Sequence, residues 1–217
     1  MKLILIAGSW GSGTTAVIGA LNSMGVQTLG PYFESSDPKT KNTFELMSFR
    51  NLIHAYVDEA TLKHKDNYQN KFIPALKKYR LTLEQQTRTE NNKIPKVIAL
   101  KMPLASICLP QICSVFKTKI ILVHRNFTQI EACRRRRNWP PLYGAFGARS
   151  IYNKIFIDLI EHKLSFLGIS YHDFVNNKRA SLEKIIEFGG LQAFQENLKN
   201  GEDFIRTPRI NPAKNNA

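Results

Sequence analysis

The stretch Gly8-Ser9-Trp10-Gly11-Ser12-Gly13-Thr14-Thr15 packs three glycines and four hydroxyl side chains into eight residues. In such a turn, consecutive backbone N–H groups can converge on an anion, and a helix starting at its end adds the positive end of its dipole. The Gly8-to-Gly13 spacing matches a P-loop, but Thr14 stands where a P-loop has its lysine. That lysine reaches the β- and γ-phosphates in kinases and GTPases, so the exchange weakens a triphosphate reading. A tight strand-to-helix turn without a ligand is the competing reading. Two cations could meet an anion held there: Lys101 and Arg125 each close an apolar run. At a strand end they would project over the carboxyl edge of a parallel sheet, the usual ligand crevice of open α/β folds.

The elements that must position these groups are legible as short apolar runs. Leu3–Ala7, Val97–Leu100 and Ile120–Val123 are continuous rather than alternating and rich in Ile and Val, the pattern of strands buried on both faces. Val26–Leu29 and Ile169–Tyr171 are two further strand candidates, and helical stretches follow at Ala16–Leu21 and Leu182–Phe188. The repeated strand–helix order predicts an α/β three-layer sandwich whose central parallel sheet has about five strands. Residues 40–90 read as a polar helical insertion over one sheet edge, with Phe44, Met47, Leu52, Ile53, Tyr56 and Val57 forming its apolar stripe. Pro74 is expected to interrupt or start a helix there. The two prolines within residues 206–212 suggest an irregular arm. With no linker in evidence, residues 1–217 are read as one domain.

Composition narrows the partners. The chain has 31 Lys and Arg against 17 Asp and Glu, a net charge of +14, so its usual partner should be anionic. At 43% hydrophobic and 22% charged it is not a disordered chain. No apolar run approaches the roughly 20 residues of a membrane span. Three cysteines are too few for a secreted disulfide scaffold, which points to a reducing cytoplasm. Cys108 and Cys113 have no histidine pair beside them, so no metal site is expected. The run Arg134-Arg135-Arg136-Arg137 lacks interleaved aromatics, which disfavours nucleic acid. Successive helical residues point about 100° apart, so at most two of these arginines can face one phosphate. Arg135 is expected to be solvated.

Three blocks together resemble the sulfotransferases that use 3′-phosphoadenosine 5′-phosphosulfate (PAPS), in their bacterial form. Ser12-Gly13-Thr14-Thr15 is similar to the family's 5′-phosphosulfate loop, and residues 16–30 to the helix and turn that follow it. Ile120 through Asn126 resembles the strand and Arg-Asn of the 3′-phosphate motif. Ile169–Val175 through Phe188-Gly189-Gly190-Leu191 resembles the late strand–loop–helix block. The resemblance implies that Trp10, Gly11, Ser12, Gly13, Thr14 and Thr15 hold the donor, with Trp10 shielding it from water. It implies that Arg125 contacts the 3′-phosphate, aided from eight residues later by Cys133, where the family has a serine. The product would be adenosine 3′,5′-bisphosphate.

One departure matters for the chemistry. The family places Lys or Arg just before Ser-Gly-Thr, where it touches the bridging oxygen; here the residue is Gly11. Lys101 is the natural replacement, as a cation on the sulfonate or as a base if burial lowers its pKa. His124 precedes Arg125 and is expected to pack on the other side of its strand. His54 and His64 lie on the insertion, where an acceptor could sit. The expected activity is sulfonate transfer from PAPS to a hydroxyl or amine of a carbohydrate or small molecule. A nucleotide or metabolite kinase and a non-catalytic binder of nucleotide or polyanion remain open as alternatives.

Overall fold

The computed structural model describes residues 1–34, 40, 42–87 and 97–205. The expected arm at 206–212 and the far end of the insertion lie outside the described residues. In chain order the elements are β1 (Lys2–Ala7), α1 (Thr14–Ser23), α2 (Met47–Tyr56), β2 (Val57–Asp58), β3 (Lys63–His64), α3 (Tyr68–Gln86), β4 (Val97–Lys101), α4 (Leu109–Val115), β5 (Lys117–His124), α5 (Phe127–Arg136), α6 (Ala145–Glu161), β6 (Phe166–Ser170), α7 (Tyr171–Asn176), α8 (Lys178–Gly189) and α9 (Leu198–Phe204). Short 3-10 turns at Pro103–Ile107, Pro141–Tyr143 and Gln192–Asn197 join them.

The main sheet has four parallel strands in the order β4-β1-β5-β6. Leu3, Leu5, Leu100 and Ile120 face one helical layer, while Ile4, Ile6, Ala99 and Ile121 face the other. That two-sided burial is why these strands read as unbroken apolar runs. Helices α2, α3, α4 and α6 build the first layer; α1, α7, α8 and α9 build the second. The architecture is the three-layer α/β sandwich that the strand–helix order predicts.

Details differ from the sequence-based expectation. The fifth strand at Val26–Leu29 shrinks to one parallel bridge between Gln27 and Ile98, with the Ala99 amide donating to the Gln27 carbonyl at 2.9 Å. Gly25, at φ +95, and Pro31 bracket this segment. β6 lies earlier than expected, and Tyr171 opens a helix instead of closing the strand. Pro74 sits inside α3, which neither starts nor stops there. The two insertion helices join the layer of α4 and α6 rather than standing apart from it, burying Phe49, Ile53, Phe72 and Leu76 completely. Each such side chain contributes about 1.5–3 kcal/mol. Phe44 precedes α2 and packs in the opposite layer, against Tyr32 and Phe204. No helix among the described residues is long and apolar enough to cross a membrane.

Candidate functional site

All four main strands run parallel, so their carboxyl ends open on one edge. From that edge emerge the loop after β1, Lys101 from β4, Arg125 after β5 and Tyr171 after β6. β1 has β4 on one side and β5 on the other, so the chain reverses its direction of travel across the sheet at β1. A crevice at such a reversal is where open α/β sheets bind ligands.

The glycine-rich loop is held from three sides. Ser106 Oγ accepts from the Gly8 amide at 3.0 Å and donates to the Gly8 carbonyl at 3.3 Å. Ser12 Oγ donates to the Ser9 carbonyl at 2.7 Å inside the loop, and both serines are buried. Tyr152 on α6 donates to the Val123 carbonyl at 2.8 Å, beside the Ser9 and Ser12 hydroxyls, and burial raises its phenol pKa. Gly13 takes φ +104 and a Cβ there would lie 2.1 Å from the Tyr171 ring, so only glycine fits. Gly11 also has a left-handed φ, +74, but its nearest neighbours, Ile130 and Cys133, leave 3.5 Å or more for a Cβ.

At the end of this loop α1 begins with no side-chain cap. Thr14 is buried under the loop, while Thr15 turns toward β4 and accepts from Lys101 Nζ at 3.2 Å. An uncapped N-terminus leaves backbone N–H donors and positive dipole density at the crevice.

Lys101 is buried, 4% exposed, rather than solvated at a strand end. Its Nζ meets Glu45 Oε1 at 2.7 Å and the Thr43 carbonyl at 3.3 Å. Sequence reasoning missed Glu45, because a lone glutamate before a helix carries no spacing signal; only the fold brings it beside a strand end 56 residues away. Ser106 and Tyr152 were missed for the same reason.

Arg125 flanks the loop's other side. Nη1 donates to the Gly11 carbonyl at 3.3 Å, Nε donates to Gln129 at 3.1 Å, and the guanidinium lies 4.4 Å over the Tyr171 ring. Because that ring also presses on Gly13, Tyr171 ties arginine and loop together. Cys133 is buried beneath Gly11, with Arg136 Nη2 at 3.6 Å from its sulfur. The rest of the basic run has separate duties. Arg134 pairs with Glu131 at 2.8 Å and donates to the Trp139 carbonyl. Arg135 has its side chain 75% accessible, as its expected solvation requires, and meets Glu131 only at 3.4 Å. Arg137 reaches Thr40 and stacks on Trp139.

Trp10 leaves the loop on the opposite side from α1 and packs against Tyr143, ring centroids 4.6 Å apart. His54 and His64 do not join the crevice: His54 contacts Arg50 and Glu59, and His64 stacks on Tyr68 and bonds the Ile107 carbonyl. His124 is exposed rather than packed.

The crevice therefore gathers Gly8–Thr15, Lys101 and Arg125 as the sequence suggests, with Glu45 added. No family model and no curated protein matches the chain. Among solved structures, it is similar to the sulfotransferase domain of the Synechococcus PCC 7002 olefin synthase: 19% identity and a TM-score of 0.54 over 88% of this chain and 73% of that one. It is also similar to the sulfotransferase STF9 from Mycobacterium avium, at 13% identity and a TM-score of 0.59 over 92% and 67% of the two chains. Identities this low speak to architecture alone, and what they establish is that the chain has a sulfotransferase-like α/β fold.

Proposed function

We propose that the chain transfers a sulfonate from PAPS to a hydroxyl or amine of a carbohydrate or small molecule. The observation that carries this reading is a division of cations. Lys101 and Arg125 stand on opposite flanks of an uncapped helix N-terminus, where a donor with two separate anionic groups needs them. The residues present fit such a donor. Loop and helix amides with Thr14 and Thr15 would hold the 5′ side, and Arg125 the 3′-phosphate, with Cys133 beneath Gly11 lending a weak thiol donor and Arg136, against the Cys133 sulfur, a charge. PAPS, when bound, supplies an activated sulfonate. Lys101 keeps a positive charge at Thr15 and so stabilises negative charge developing there. Glu45, 2.7 Å from that cation, has the lone pairs to receive the acceptor's proton. Trp10 excludes water from the loop.

One observation favours a second reading, the non-catalytic binder: Gly11 supplies no cation, and Lys101 is already paired. Calorimetry followed by turnover separates them. Adenosine 3′,5′-bisphosphate should bind at least about tenfold tighter than AMP, about 1.4 kcal/mol. Arg125→Ala should weaken it by about 2 kcal/mol, and Arg135→Ala should leave it nearly unchanged. Equal affinities for the two nucleotides would refute the 3′-phosphate site. Tight bisphosphate binding without transfer of labelled sulfonate to any acceptor would favour the binder.

A further inference from the structure

An open cavity of about 630 Å³, a shallow groove rather than an enclosed space, lies between the end of α2 with the β2–β3 hairpin and the turn at residues 140–143. It falls in the range of small-molecule sites. His54, Asp58, Glu59 and Lys65 line one wall; Pro140, Pro141 and Tyr143 line the other. None of Gly8–Thr15, Glu45, Lys101 and Arg125 lines it. Tyr143 links it to the crevice, because its ring packs on Trp10 of the glycine-rich loop at 4.6 Å. Trp139 closes the same aromatic group, edge-on to Tyr143 at 5.8 Å.

The charges in this cavity run against those of the whole chain. Burial, then the Glu59 carboxylate, push the Tyr143 phenol up to about 12, with the Arg50 guanidinium opposing and Glu45 adding. It is a neutral donor at pH 7. Asp58 holds its carboxylate ionised by bonds from Ala60 and Thr61. Lys65 Nζ donates to the His54 carbonyl at 2.7 Å, and its charge also acts on Asp58. Burial and the neighbouring Arg50 hold His54 below the usual histidine range, so it is neutral at pH 7. Two carboxylates thus line the space against one lysine, on a protein of net charge +14.

We propose that this cavity is the acceptor site and that it selects an uncharged or amine-bearing polyhydroxylated ring over an anionic one. The inference rests on the sulfonate-transfer reading, since it is the contact of Tyr143 with Trp10 that makes the cavity's occupant an acceptor. Tyr143 and the two prolines offer flat apolar surface to a ring face, and Asp58 and Glu59 accept from its hydroxyls or ammonium. A carboxylate or sulfate on the acceptor would meet two carboxylates against one lysine, a net repulsion.

The chain's two tryptophans, Trp10 and Trp139, both adjoin Tyr143, so intrinsic fluorescence reports this cavity. The experiment titrates the protein, with and without adenosine 3′,5′-bisphosphate, with phenyl β-glucoside, its 2-amino-2-deoxy analogue and phenyl β-glucuronide. These probes share a ring and differ in charge. The amino and neutral glycosides should bind, the amine at least tenfold tighter than the glucuronide. Glu59→Lys should invert the order of amine and glucuronide while bisphosphate affinity stays within twofold. Should Glu59→Lys fail to fold, Glu59→Gln should still narrow the amine's advantage. Equal affinity for amine and glucuronide, an unchanged order in both Glu59 variants, or binding of none of the three overturns the proposal. Loss of bisphosphate binding alone counts against the donor site instead, because the nucleotide-free titration still reads the cavity.

Discussion

Lys101 and Glu45 form a pair whose members are 5% and 11% exposed at the side chain, so removing one leaves the other charged and buried. Lys101→Met should therefore act twice. Turnover should fall about a hundredfold, as for loss of one preorganised charge contact. Stability should fall by about 3–5 kcal/mol from the orphaned Glu45. Affinity for adenosine 3′,5′-bisphosphate, which has no sulfonate, should stay nearly intact. Adding Glu45→Gln to Lys101→Met should restore most of the lost melting temperature without restoring turnover. Thermal melts run beside a labelled-sulfonate assay check this, and turnover that recovers along with stability would remove Lys101 from the chemistry. At Gly11 the difficulty is different. There is room for a side chain, but φ +74 sets a cost of about 1–2 kcal/mol for any L-residue. A cation at that position is opposed by the backbone rather than by crowding.

Among the elements, the loop between β1 and α1 depends on neighbours far away in sequence. Ser106, in the turn after β4, answers both polar groups of Gly8 from a distance of 98 residues. Ser106→Ala would leave a buried amide unpaired, costing about 1–3 kcal/mol. The expected outcome is a lower melting temperature together with weaker bisphosphate binding, because the same contact sets where the loop amides point. A stability loss with unchanged nucleotide affinity, seen by calorimetry, would mean that the loop holds its shape without Ser106. The basic helix α5 shows the reverse case. Its four consecutive arginines look equivalent as a string, yet 100° steps send Arg134 onto Glu131 at 2.8 Å and Arg136 toward Cys133, while Arg135 stays largely exposed and meets Glu131 only at 3.4 Å.

For the molecule as a whole, pH couples the insertion to stability through His54. Burial and Arg50 lower its pKa from 6.5, with Lys65 adding to that and Glu59 and Glu45 opposing. The unfolded chain thus takes up the proton first as pH falls. This contribution is complete above about pH 6.5 and is lost as pH drops below it toward the folded value. Melting temperature should decline between pH 7.5 and 5.5, and His54→Gln should flatten that decline. Identical slopes in parent and variant would show that His54 contributes nothing to it.

What the sequence by itself determined follows from local rules. Unbroken Ile, Leu and Val runs mark strands covered on both faces, and a glycine-rich turn between strand and helix marks the anion-binding end of α1. Parallel strands then carry Lys101 and Arg125 to the same edge, so their meeting at one crevice was legible from strand ends alone. Tertiary structure decided the rest, because those contacts join residues with no shared period. Glu45 reaches Lys101, Ser106 reaches Gly8, and Tyr171 wedges between Arg125 and Gly13 only once the sheet is assembled. The same holds for the segment at Val26–Leu29, whose composition suits a strand but whose pairing stops at Gln27. A strand exists by its neighbour's hydrogen bonds, and a buried charge by its partner; neither is written in the residue's own surroundings along the chain.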